Sequence, residues 1–124
     1  MRILIADDSA FMRMTLKNIL ISLNHQVIGE ASDGYEAIEK YKSLKPDMVT
    51  MDITMPYLDG ISAIEQIIKL DPHAHIIVCS AMGRPDFIMN AIKKGARGFI
   101  VKPFEVKSVV YELDRIDHEI ALGL

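Results

Sequence analysis

Cysteine is nearly missing from this chain, tryptophan is absent, and aromatic residues fill only 6% of its 124 positions. A single cysteine closes no intramolecular disulfide, which excludes a disulfide-stapled secreted scaffold. Cys79 lies in the apolar run Ile76-Ile77-Val78-Cys79, where a buried thiol is the expected role. No apolar stretch nears the roughly 18 residues that span a bilayer, and no basic-then-apolar leader opens the sequence, so a cytoplasmic protein off the membrane is expected. Positive charge is not in excess either: 14 basic residues stand against 17 acidic ones, for a net charge of -3. The tightest basic group, Lys93, Lys94 and Arg97, has no interleaved aromatics on which bases could stack, and no nucleic-acid partner is expected. Repeats and low-complexity segments are lacking. What is present, half hydrophobic and a quarter charged, suits one globular domain over residues 1–124 with no output domain, and a monomer is expected.

Along the chain, short apolar or β-branched runs alternate five times with stretches of helical periodicity. Ile3 to Ala6 reads as the first strand, and Met12, Leu16, Ile19, Leu20 and Leu23 share one face of the helix after it. Gln26 to Ala31 suits a second strand; Asp33-Gly34-Tyr35-Glu36 has the spacing of a capping box, and the helix it opens turns Ala37, Ile38, Tyr41 and Leu44 inward until Pro46 stops it. Met48 to Met51 gives the third strand, and Asp59 stands near the start of a helix with Ile61, Ile64 and Ile68 inward. Ile76 to Cys79 gives the fourth strand; Pro85 suits the first turn of a helix carrying Ile88, Ala91 and Ile92 and ended by Gly95. Phe99 to Val101 forms the fifth strand, before a last helix presenting Val106, Val109, Val110, Leu113, Ile116 and Ile120. Strands this apolar leave no face for water, so the expected fold is α/β: a doubly wound, flavodoxin-like, five-stranded parallel sheet of order 2-1-3-4-5 with helices on both faces.

In such a sheet, ligands bind beyond the carboxyl ends of the strands where the order reverses. The residues at those ends are Asp7 and Asp8, Asp52, Ser80, and Lys102. Strands one and three are neighbours at the reversal, which brings three carboxylates into one pocket. Two of them about 4 Å apart repel by on the order of 4 kcal/mol at a partly shielded site, so a counter-charge is needed. Oxygen ligands with no His or Cys partner favour a hard ion, and Mg2+ typically takes one or two carboxylates, keeps waters and leaves room for a phosphate oxygen. The Ser80 hydroxyl and the Lys102 ammonium suit the oxygens of a phosphoryl group. An aspartate can itself attack phosphorus, and the metal with Lys102 would neutralise the charge that repels the incoming group. Singly, each residue has a plainer role: Asp8 or Ser9 as a helix cap, Asp52 as a turn cap, Ser80 as a backbone partner, Lys102 as a solvated charge. Their convergence on one sheet edge argues against that.

These residues carry a resemblance. Asp7-Asp8, Asp52 within "TMDITMPYLDG", Ser80-Ala81 in "VCSAMG", and Lys102-Pro103 in "FIVKPF" match, in order and spacing, the receiver domain of two-component response regulators over essentially the full length. "DDSAFMR", "VTMDITMP" and "IIVCSAMG" look most like free-standing chemotaxis regulators of the CheY type, in their Gram-positive and thermophilic versions. The resemblance implies that Asp52 accepts a phosphoryl group from a sensor histidine kinase. It also implies that Asp8, Asp52 and the Thr54 backbone carbonyl bind Mg2+, with Asp7 acting through a water. Ser80 and Phe99 would form a switch that reshapes the face of the fourth helix, fifth strand and fifth helix, and the Lys102-Pro103 bond would be cis. The implied partners are the chemotaxis kinase and the flagellar motor switch protein. The segment "GRPDFIMNAIKKGARG" and the tail "DHEIALGL" depart from that group. Thr54 and Met82 offer no carboxylate or amide to orient a hydrolytic water, so slow spontaneous dephosphorylation, with a separate phosphatase, is expected.

A hydrolase working through an aspartyl phosphate is the enzymatic rival. Such enzymes place a second Asp two residues after the nucleophile, where this chain has Thr54, and their paired acids come late in the sequence. The expectation is therefore a protein that assists only its own phosphorylation and dephosphorylation. A flavin or nucleotide module would need a glycine- or hydroxyl-rich loop after the first strand in place of two acids. His73 and His75 fall before the fourth strand, at the edge opposite the acids, and are expected in a solvated loop.

Overall fold

The apolar runs fold as strands and the amphipathic stretches between them as helices: β1 (Arg2–Ala6), α1 (Ala10–Ser22), β2 (Gln26–Ala31), α2 (Gly34–Leu44), β3 (Met48–Asp52), α3 (Gly60–Leu70), β4 (Ile76–Ala81), α4 (Pro85–Lys93), β5 (Gly98–Lys102) and α5 (Val106–Ala121). They belong to a computed structural model that describes residues 1–124. The strands form one sheet in the order β2-β1-β3-β4-β5, every neighbouring pair parallel, as the sequence predicts.

Side chains alternate across the sheet and so feed two cores. Leu4 and Ala6 of β1, Val49 and Met51 of β3, and Ile76 and Val78 of β4 pack with Ile38, Ile64 and Ile67 under α2, α3 and α4. Ile3, Ile5, Ile77, Cys79 and Ile100 face the other way, against Leu16 and Leu20 of α1 and Val109, Leu113 and Ile116 of α5. Each fully buried aliphatic side chain contributes about 1.5–3 kcal/mol relative to exposure, so both faces hold the sheet. Cys79 is buried, as expected. No helix is long and apolar enough to cross a membrane.

Local signals act largely as predicted. Asp33 accepts from the Glu36 amide at 2.9 Å, while the Glu36 carboxylate reaches one residue further back than a capping box requires, to the Ser32 amide at 3.1 Å. The chain leaves α2 through Lys45 in the left-handed region (φ 48), a common helix ending, and Pro46 after it cannot continue the helix. Asp59 caps α3 through the Ser62 amide at 2.7 Å.

Four details differ from the sequence reading. Ala63 and Ile67 flank Ile64 as the buried face of α3, leaving Ile61 and Ile68 at its margins. Ile92 is 40% exposed and Val106 53% exposed, although periodicity turned both inward. Each lies near an end of its helix. His73 is solvated, but His75 is half-buried with an unpaired Nε2, and burial lowers its pKa, since desolvation disfavours the imidazolium. The fifth helix is anchored by Arg115, which pairs with buried Glu112 at 2.6 Å and also donates to the Arg97 carbonyl just ahead of β5. A methyl group on Gly98 would fall 2.1 Å from the Arg115 guanidinium, so any side chain there would have to displace the end of Arg115.

Candidate functional site

β1 delivers Asp7 to the sheet edge and holds it there. Its amide donates to the Ala31 carbonyl at 2.9 Å, extending the ladder to β2. Its carboxylate accepts from the Ser9 amide at 2.9 Å, and its carbonyl accepts from Arg13 of α1 at 2.6 Å. Asp7 is therefore 3% exposed, whereas the next residue, Asp8, faces solvent. Ser9 caps α1 through the Met12 amide at 3.2 Å; the capping role falls to Ser9 and leaves the Asp8 carboxylate free of hydrogen bonds to protein.

Asp52 closes β3 next to β1, opposite Cys79 of β4. The chain then doubles back so tightly that Gly60 donates to the Ile53 carbonyl at 2.8 Å, and a Cβ on Gly60 would lie 1.9 Å from the Asp52 carbonyl oxygen. Only glycine permits that turn. At the end of β5, before a cis Lys102-Pro103 bond, Lys102 extends its ammonium to Asp7 at 2.6 Å and Asp52 at 3.2 Å.

One carboxylate oxygen from each of Asp7, Asp8 and Asp52 lies within 4.8 Å of the others. Burial, reinforced by the charge of Asp7, raises the Asp52 carboxyl from 3.8 to about 6 even though Lys102 opposes the shift. For Lys102, burial alone would lower the pKa, but its hydrogen bond to Asp7 and the charges of Asp52 and Asp7 prevail and raise it. Three acids thus cluster around one ammonium that pairs with two of them, an excess of negative charge held by oxygen donors alone. That donor set fits a small, hard divalent cation.

Ser80, the last residue but one of β4, lies beside this cluster, 3% exposed, with its hydroxyl donating to the Ala81 carbonyl at 3.2 Å. A cleft of about 230 Å³ joins Asp52, Thr54, Ser80, Ala81, Arg84 and Lys102. It is large enough for a phosphoryl group, but its size alone would not specify one. The Thr54 side chain is exposed at the rim, and Met82 is 74% exposed. Phe99 stands apart from the acids: it is 45% exposed on β5 beside a separate hollow with Glu105, Ser108 and Tyr111. The fold therefore gathers Asp7, Asp8, Asp52, Thr54, Ser80 and Lys102 at one edge, with Phe99 outside.

Two contributors escaped the sequence reading. Arg13 braces the Asp7 carbonyl, and its Nε also pairs with Glu30 at 3.0 Å; only a basic residue on the first turns of α1 hinted at this. Arg84 lines the cleft and lies over the Phe87 ring, 3.6 Å from its centroid. Its signal in the sequence is a lone cation directly before the helix-starting Pro85.

Comparison with known proteins agrees with this geometry. The sequence profile of the response regulator receiver domain matches residues 3–114. The chain is 58% identical to the chemotaxis protein CheY of Thermotoga maritima over 115 residues, covering 93% of this chain and 96% of that protein. It is 51% identical to CheY of Bacillus subtilis over 114 residues, covering 92% and 95%. Among solved structures, CheY in the CheX-CheY-BeF3-Mg2+ complex of Borrelia burgdorferi superposes with a TM-score of 0.88 at 38% identity, covering 93% of this chain and 87% of that one.

Proposed function

This chain belongs to the response regulator receiver domain family, and on that premise we propose that Asp52 is its phosphoacceptor. The observation that carries the reading is the single ammonium of Lys102 bridging Asp7 and Asp52 inside a three-acid cluster. Asp8, Asp52 and the Thr54 carbonyl would hold Mg2+, with Asp7 reached through a water; the ion would supply two positive charges where the acids are in excess. The BeF3 and Mg2+ in the Borrelia relative's complex support this donor set. Beryllium trifluoride can take a carboxylate oxygen as a fourth ligand, and with a divalent cation it suits a phosphoryl-accepting carboxylate pocket.

The carboxylate of Asp52 attacks phosphorus, the bond to the donor's leaving group breaks, and Lys102 holds a phosphoryl oxygen as charge moves onto it. Ser80 is placed to turn its hydroxyl from the Ala81 carbonyl toward the new group. Phe99, exposed beforehand, then rotates toward the space the hydroxyl leaves, and the face of α4, β5 and α5 changes shape. The protein acts as a cytoplasmic signalling switch and not as a classical enzyme, a single receiver domain over residues 1–124 phosphorylated by a sensor histidine kinase. Its similarity to CheY supports chemotaxis, with the flagellar motor switch protein as target. Thr54 at the rim and the exposed Met82 offer no carboxylate or amide to orient a water, so hydrolysis is slow and a separate phosphatase ends the signal.

Incubation with Mg2+ and acetyl phosphate, followed by intact-mass measurement, should add one phosphoryl group to the wild type and none to Asp52→Asn. Equal labelling of the two would remove Asp52 from its role.

A further inference from the structure

We propose that Arg84 is a phosphoryl-binding residue of this site, capturing the incoming donor by its phosphate oxygens. The proposal rests on Asp52 being the acceptor. Apart from Lys102, Arg84 is the only cationic side chain lining the Asp52 cleft. Lys102 is already committed, donating to Asp7 and Asp52. A phosphoryl group brings a charge of about −1.5 to −2. Even after transfer, when Asp52 is esterified and carries no carboxylate charge of its own, the neighbouring Asp7 and Asp8 with the phosphoryl group leave a divalent cation and Lys102 about one positive charge short of neutrality. Arg84 supplies that charge, and its planar fork can donate two parallel hydrogen bonds to two phosphoryl oxygens.

Its present contacts are suited to release. The guanidinium meets Asp86 at 3.4 Å, a long contact between side chains 46% and 67% exposed, of the kind that contributes little to stability. Phe87, which lines the same cleft, holds the guanidinium plane by stacking while leaving its edge N–H groups free to turn. The preceding Gly83, at φ 84, has open space around it, so the loop that carries Arg84 is not locked by packing. Exchange of Asp86 for a phosphate therefore trades a weak exposed pair for a charge-assisted, bidentate one. The covalent step is unchanged: the Asp52 oxygen bonds to phosphorus, acetate leaves acetyl phosphate with the electron pair, and Arg84 keeps its protons throughout.

Phosphorylation kinetics with acetyl phosphate and Mg2+ test the assignment. Arg84→Ala should raise the donor concentration for half-maximal rate about tenfold and change the maximal rate less. That is smaller than the loss of a donor from a water-excluded site, because Arg84 is half exposed. Arg84→Lys should recover part of the affinity, and Asp86→Asn should lower the half-maximal concentration below the wild-type value by freeing the guanidinium. Adding Arg84→Ala to Asp86→Asn should abolish that gain, whereas a general easing of charge repulsion at Asp86 would survive it. In nuclear magnetic resonance, the Arg84 Nε–H signal should move when Asp52 is phosphorylated. If the wild type is labelled and Arg84→Ala matches it at every donor concentration, or the Nε–H signal stays fixed, the Arg84 assignment falls and the acceptor role of Asp52 stands. If the wild type takes up no phosphoryl group, both fall.

Discussion

Replacing Asp52 by asparagine removes a charge that the fold holds against its preference, and the gain depends on pH. The Asp52 carboxyl titrates near 6 in the folded protein and near 3.8 when unperturbed, because burial and the neighbouring Asp7 disfavour its ionised form. Below pH 3.8 it is protonated in both folded and unfolded chains and shifts nothing. Between those values the folded chain binds the proton more tightly, so this group's contribution to stability falls as pH rises. Above pH 6 both states are ionised and the full cost is present. A difference of about two units, at about 1.36 kcal/mol each, gives about 3 kcal/mol. The side chain is only 10% exposed, so solvent screening reduces this little. Asparagine keeps an oxygen for Lys102 to donate to, and Lys102 retains its 2.6 Å contact with Asp7. Asp52→Asn should therefore match the wild type at pH 3.5 and exceed it by about 3 kcal/mol at pH 7.5. With a urea slope of roughly 2 kcal/mol/M, the midpoint moves up by about 1.5 M. Urea titrations followed by circular dichroism at both pH values, without divalent cations, measure the gap; saturating Mg2+ should narrow it by stabilising the wild type. A gap of equal size at both pH values, or a wild type more stable at pH 7.5, would refute the reasoning.

Asp8→Asn should weaken Mg2+ binding about tenfold in isothermal titration calorimetry and raise stability slightly without metal, because exposed Asp8 makes no hydrogen bond to protein and its charge disfavours ionised Asp52. Gly60→Ala should cost at least about 3 kcal/mol, or prevent folding, since its new methyl would meet the Asp52 carbonyl oxygen at 1.9 Å and backbone cannot step aside cheaply; thermal melts would show it. Ser9→Ala, losing the α1 cap, should destabilise the protein by about 1 kcal/mol in urea and leave Asp52 labelling intact, because the Asp7 carboxylate is held by the Ser9 amide and not by its hydroxyl.

Much of the site was legible in one dimension because a parallel α/β sheet converts sequence order into position. The residue after each apolar run must emerge at the same edge, so Asp7, Asp52, Ser80 and Lys102 could be grouped before any contact was known. Helix ends were legible where a single local rule governs, as at Asp33, Asp59 and Pro46. Inner faces were less so: periodicity gives the direction of a stripe but not how much of it the rest of the fold covers, and Ile92 and Val106, near helix ends, stay exposed. His75 illustrates the reverse, since nothing in "DPHAHII" separates a solvated histidine from one whose Nε2 is buried.

By itself, then, the sequence determined the fold class, the strand order consistent with it, and which carboxylates converge, because hydrophobic period and strand-end placement are local properties that topology reads out directly. The tertiary structure alone decided how those groups differ. It buried Asp7 and left its neighbour Asp8 in water, set Lys102 between Asp7 and Asp52, raised the Asp52 carboxyl to about 6, and laid Arg84 over Phe87 at the cleft. Charge, unlike periodicity, acts through space: its consequences depend on distance and on the water removed, and residues 7, 52 and 102 acquire both only when β1, β3 and β5 lie in one sheet.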